Sequence, residues 1–198
     1  MKTIKHCAIA LALLFVSFLT HAQEVDVRSG DLAILKGETT INIEFTFNKM
    51  SVGDFSKEAD YIKKKIAEND AKDPPNGDYW ASKWEEDKTT KYGPKFILGF
   101  TNLSGIAVDK SAKYSMIVNT SALEPGYSVG VSKRNAGIDG TITIVETANR
   151  TKKLASLYFE RPGENMFRGA AFDAGSRIAD AYYLTGQKTG KFFKKNIK

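Results

Sequence analysis

The chain has 198 residues, of which 42% are hydrophobic and 26% charged, with 29 basic against 23 acidic side chains. That is globular composition and excludes a disordered or fibrous protein. Both histidines (His6, His21) and the only cysteine (Cys7) fall in the first 22 residues. A chain that loses them has no His or Cys for a triad, a thiol nucleophile, a zinc site, a haem ligand or a disulfide.

Residues 1–22 have the three-part layout of a secretory signal peptide. Lys2 and Lys5 form the positive start, Cys7–Leu19 an apolar run of 13 residues, and Thr20-His21-Ala22 a small-residue cleavage site before Gln23. Thirteen helical residues span about 20 Å, short of a hydrocarbon core of about 30 Å. The expectation is export to the periplasm or beyond after cleavage near Ala22, leaving one domain over 23–198. Lys188, Lys191, Lys194, Lys195 and Lys198 crowd the last thirteen residues, and 23–185 holds 22 basic against 23 acidic side chains. The basic character therefore belongs to the tail.

Along the mature chain, Val25–Leu35 alternates weakly around Ser29-Gly30 and reads as an edge hairpin or arm. Ile41, Ile43, Phe45 and Phe47 alternate with polar residues, as in a strand with one buried face. Phe55, Ala59, Ile62 and Ile66 recur at helical spacing, with Asp54 or Ser56 as cap, which predicts a helix packing one stripe on a sheet. Asp73-Pro74-Pro75-Asn76-Gly77 breaks the chain. Trp80 and Trp84 then sit one turn apart in a charged helix, which Gly93-Pro94 ends. Lys95–Leu103 fits a short helix better than a strand.

The second half reads as a meander. Tyr114, Met116 and Val118 alternate up to a type II turn at Pro125-Gly126. Tyr127, Val129 and Val131 alternate after it, followed by Ile138–Thr147, a turn at Asn149-Arg150, Leu154–Glu160 and a turn at Pro162-Gly163. A last helix runs from near Asp173 to about Asn196. Its stripe of Gly175, Ala179, Tyr182, Gly186 and Thr189 allows close approach to the sheet, and its lysines lie at the end that favours cations. The order predicts an α+β two-layer sandwich: a mainly antiparallel or mixed sheet with helices on one face.

Glu124-Pro125-Gly126-Tyr127, Ile138–Thr147, Leu154-Ala155, Pro162-Gly163 and the block Phe172–Lys195 together resemble an uncharacterised family of small exported proteins of Gram-negative bacteria. That family is similar to lipoproteins with a TolB-amino-terminal-like or anticodon-binding-like fold, which also occurs in envelope transport auxiliary subunits. The resemblance spans roughly 40–196 and implies an α+β fold without assigning chemistry. The chain has Gln23 where a lipid-bearing cysteine would stand, so no lipid tether is implied.

Chemical motifs are few. Gly186 and Gly190 of GQKTGK have three residues between them where a phosphate loop has four, and Phe192 follows Lys191, so the stretch reads as helix packing and not a phosphate loop. No Ser-x-x-Lys occurs. A carboxylate hydrolase needs two acids facing across a cleft, and Glu85-Glu86-Asp87 reads instead as a solvated helix face. Asp73–Asp78 lacks calcium-loop spacing. Trp80 and Trp84, with Tyr79 and Tyr92, form a candidate stacking or anchoring cluster, although their spacing also suits a core stripe. Lys191, Lys194 and Lys195 form a candidate surface for an anionic glycan or lipid surface. Nucleic acid is disfavoured, because only Phe192 and Phe193 offer bases a ring.

The expectation is a non-enzymatic envelope protein without cofactor, metal or catalytic residues. It would act as an accessory or protein-interaction module. The alternative is a binding module for an anionic polymer or glycan, using the lysine-rich helix or the aromatic cluster.

Overall fold

A computed structural model describes residues 25–129, 131–161 and 173–197. The predicted signal peptide, the predicted turn at Pro162-Gly163, Phe172 and Lys198 lie outside them.

The centre is a mixed seven-stranded sheet. Its strands are β1 (Val25–Gly30), β2 (Thr40–Thr46), β3 (Ser51–Val52), β4 (Ala107–Val108), β5 (Tyr114–Glu124), β8 (Gly137–Glu146) and β9 (Asn149–Phe159). The order is β1-β9-β8-β5-β2-β4, with β3 alongside the far end of β5. β2 runs parallel to β4 and β5, while β5, β8, β9 and β1 pair antiparallel in succession. The parallel step from β2 to β5 requires a crossover, and that crossover carries α1 (Glu58–Asp70), α2 (Asn76–Asp87) and α3 (Gly93–Ser104). The chain closes with α4 (Ala174–Asn196).

Residue alternation divides the sheet into two faces. Met116, Val118, Ile142, Ile144, Leu157 and Phe159 are all fully buried under the helices, against Phe96, Phe100, Ile178, Tyr182 and Phe193. The opposite rows carry Ile117, Thr143 and Ser156, and then Asn119, Thr141 and Tyr158, all half-buried. This is the expected α+β sandwich with helices on one face.

α3 and α4 cross at backbone distance. A Cβ on Gly186 would stand 2.1 Å from the Phe96 carbonyl oxygen, one on Gly99 2.2 Å from that of Tyr183, and one on Gly190 2.6 Å from that of Phe100. The small residues of α4 therefore admit α3, whereas the periodicity predicted that they face the sheet. Tyr182 ties α4 to the sheet, its hydroxyl 2.6 Å from that of Thr120 on β5.

α1 also departs from expectation. It packs on α2 instead of laying its stripe on the sheet. Only Tyr61 is buried along it, and Lys57 stands at its N-cap with no side-chain hydrogen bond in place of Asp54 or Ser56. Gly93-Pro94 does not end the preceding helix. A π-helical turn at Lys88–Tyr92, closed by Gly93 N–H donating to the Lys88 carbonyl, carries α2 straight into α3. A proline has no N–H to give, and the widened turn admits Pro94 in the first turn of α3.

Tyr127, Val129 and Val131 do not enter the main sheet either. β6 (Tyr127–Val129) and β7 (Ser132–Arg134) pair only with each other, as a two-stranded ribbon inserted between β5 and β8. All three apolar side chains are exposed. Alternation marks a strand; it does not say what covers it.

Candidate functional site

Three regions bear on function: the tryptophan pair, the outer face of α4, and the ribbon with the cleft at its base. Trp80 and Trp84 stack at 5.5 Å between ring centroids, and Tyr61 of α1 packs on both, at 5.9 and 5.1 Å. Trp84 is 4% exposed, and its Nε1 donates to Glu58 at 2.6 Å. Lys88 reaches the same carboxylate at 2.8 Å. The cluster pins α1, α2 and the π turn together. Tyr79 points to solvent and Tyr92 lies stacked on Tyr182 in the core, so the four aromatics predicted as one candidate group are not one surface.

The predicted lysines are on a surface. Lys191, Lys194 and Lys195 are exposed and Lys188 is half-exposed. At about 100° per residue they occupy about a third of the helix circumference, opposite the buried stripe of Thr185, Gly186, Thr189, Gly190 and Phe193. None of the four makes an ion pair among the described residues. From Ala181 to Lys198 the chain contains no Asp or Glu. The carboxylate of Asp173 caps the other end of α4, accepting from the backbone N–H groups of Gly175 at 3.2 Å and Ser176 at 2.9 Å.

The acidic run resolves differently from its reading as a solvated face. Glu85 and Glu86 are exposed, but Asp87 is buried beside Gly175 at the start of α4. Lys91 bridges it to Asp173, at 3.0 and 3.8 Å. These carboxylates share a cation between them and so do not face each other as a bare acid pair. Among the described residues no group of three or more His, Cys, Asp or Glu could hold a metal ion, and no helix is long and apolar enough to cross a membrane.

Beside the ribbon lies a cleft of about 260 Å3, lined by Phe55, Tyr61, Lys64, Lys65, Tyr127 and Arg134 among others. Burial pushes the Tyr61 hydroxyl up to about 12, so it stays a neutral donor. Arg177 of α4, itself buried, clamps the ribbon's base by donating to the Pro125 carbonyl at 3.2 Å and the Gly126 carbonyl at 3.0 Å. Gly126 has φ +64 and a Cβ there would stand 2.5 Å from the Arg134 carbonyl oxygen, so glycine is required at this turn. Glu124 closes the base, accepting from Gly126 N–H at 3.0 Å and from Arg134 at 3.3 Å. The sequence contained the signals for this feature, a Pro-Gly turn and two basic residues after a Val-Gly-Val tip, but not its separation from the sheet.

No family model and no curated protein matches the chain. Among solved structures, a PelC variant dodecamer from Paraburkholderia phytofirmans is 14% identical, with 81% of this chain and 96% of that chain covered and a TM-score of 0.38. A second PelC dodecamer from the same organism is 14% identical, with 81% and 95% covered and a TM-score of 0.37.

Proposed function

We propose that this protein is an exported, non-enzymatic accessory module of the cell envelope, and that the outer face of α4 is its binding surface for an anionic polymer or glycan. The observation that carries this reading is the set of four lysines without ion-pair partners among the described residues, on a helix that has no Asp or Glu from Ala181 onward. Export rests on residues 1–22 and is supported by the resemblance to small exported proteins.

The physics favours a polymer over a small ion. Each exposed lysine is screened and weak alone, but several on one rigid face add their fields along an extended polyanion. Rigidity comes from the glycine crossing on α3, which holds the last turns of α4 against the body of the protein.

The test is binding of a polyuronate to the exported protein and to K191E/K194E/K195E across a salt series. The wild type should bind with an affinity that falls steeply as salt rises, and the variant should lose at least about tenfold at low salt. Salt-insensitive binding, or equal binding by the variant, would remove the lysine face as the site. The same pair of proteins, cross-linked in native envelope, tests the accessory role: a stoichiometric protein partner kept by both would make the lysines incidental.

A further inference from the structure

We infer that the β6–β7 ribbon docks on an anionic lipid surface, the exposed side chains of Val129 and Val131 entering the acyl boundary and Lys133 and Arg134 meeting the headgroups. Val131 is fully exposed, Val129 is 71% exposed, and Tyr127 is the third exposed apolar side chain of the same short hairpin. Val27, Tyr79 and Leu98 are exposed singly on other elements, whereas these three are gathered on one projection, and such a cluster marks an interaction site.

The chemistry selects the occupant. From Tyr127 to Asn135 the ribbon carries two cations and no carboxylate. Lys133 has no ion-pair partner among the described residues, and Arg134, more than half exposed, is held over Tyr127 at 5.9 Å. Lys64 and Lys65 line the cleft on the same flank. The nearby acids Glu124 and Glu68 are each engaged by a cation, Glu124 by Arg134 and Glu68 by Lys64 and Lys65, and Asp54 lines the cleft as well. An apolar tip with basic shoulders and a tyrosine at the junction is matched to an anionic interface.

Size separates a lipid surface from a protein partner. A stable protein interface takes roughly 20–30 residues from each side. The ribbon has two strands of three residues each, and the cleft at its foot is mostly polar. A bilayer needs only the tip. The clamp of Arg177 on Pro125 and Gly126 fixes the angle at which that tip leaves the body.

This inference is independent of the lysine face, and its test is built to keep the two apart. The exported protein is prepared as K191E/K194E/K195E, with and without V129D/V131D, and sedimented with phosphatidylethanolamine–phosphatidylglycerol vesicles or phosphatidylcholine vesicles at physiological ionic strength. The triple variant should partition into the anionic vesicles, and adding V129D/V131D should lower partition at least about tenfold with an unchanged thermal midpoint. Since Cys7 lies in the leader, Val131→Cys accepts a single polarity-sensitive dye, whose emission should shift to the blue on those vesicles. A dye on Lys152→Cys, at the opposite end of β8 and β9, should not respond. No partition, equal partition with V129D/V131D, or no shift at 131 overturns the inference, and equal uptake by phosphatidylcholine overturns its headgroup half.

Discussion

Two helical pairs in this protein are built on opposite terms. α3 and α4 meet backbone to backbone, with Gly99, Gly186 and Gly190 leaving no room for a side chain. α1 and α2 meet through bulk, Tyr61 wedged against Trp80 and Trp84, with Glu58 accepting from both Trp84 and Lys88. The first pair covers the sheet and belongs to the central core. The second leans on it chiefly through the π turn. A glycine crossing tolerates no substitution but needs little polar support, whereas the aromatic wedge depends on a hydrogen-bonded carboxylate at its edge. The two pairs should therefore fail differently.

The largest effect is expected from Gly186→Leu. It forces α4 off α3 and should cost at least about 3 kcal/mol, seen as a lower denaturant midpoint across every probe. Near-native stability would break the comparison at once. Trp84→Phe comes next, at roughly 2 kcal/mol, because it removes the Nε1–Glu58 hydrogen bond and part of a buried ring. Amide exchange should accelerate in α1 and α2 and leave α4 unchanged; equal acceleration in α4 would mean the pairs are one cooperative unit.

Smaller effects sharpen the picture. The Tyr92 hydroxyl is buried without a hydrogen-bond partner among the described residues, and burial holds its pKa far above the ordinary tyrosine value. Tyr92→Phe should stabilise the protein by about 1 kcal/mol, measured by thermal and chemical unfolding. Loss of stability would indicate a partner for that hydroxyl.

The smallest effect lies on the open sheet face, away from both pairs. Arg150 hydrogen-bonds Glu44 and holds its carboxyl below the ordinary value, against the opposing effect of burial. A depressed carboxylate contributes stability above its unfolded pKa and loses it as pH falls through the folded value. Both side chains are partly exposed and screened by solvent, so that contribution is small. Arg150→Met should lower stability slightly at neutral pH, and the difference from wild type should vanish as pH falls through the folded Glu44 value, which flattens the acid limb of a stability–pH curve.

Legibility from the sequence tracked how local each signal was. α4 was readable at both ends, because Asp173 is a strong cap and the lysines mark the far turns. The long strands were readable from β-branched alternation over Tyr114–Val118 and Ile138–Thr147. What covers an alternating segment was not readable: Tyr127–Val131 alternates like Met116–Val118, yet the one is bare and the other buried. Nor was the sharing of charge over distance. Asp87 reads as the end of a solvated run, and only the arrival of Gly175 from the last helix buries it. At the candidate sites, the clustering of the lysines was evident from spacing alone, the tryptophan pair read more readily as core than as surface, and the ribbon was mistaken for a sheet strand.

The π turn at Lys88–Tyr92 has a consequence for phase. Trp84 and Phe96 are 12 residues apart in sequence, which in an unbroken α-helix would set them about 120° apart around the axis. The extra residue of a π turn takes back about 100° of that rotation, and both side chains come to look toward the same side of one continuous rod. The turn works like a vernier between two screws: one residue fewer between Lys88 and Tyr92 would leave each helix intact and rotate the tryptophan wedge away from α1 whenever the phenylalanines remained seated on the sheet.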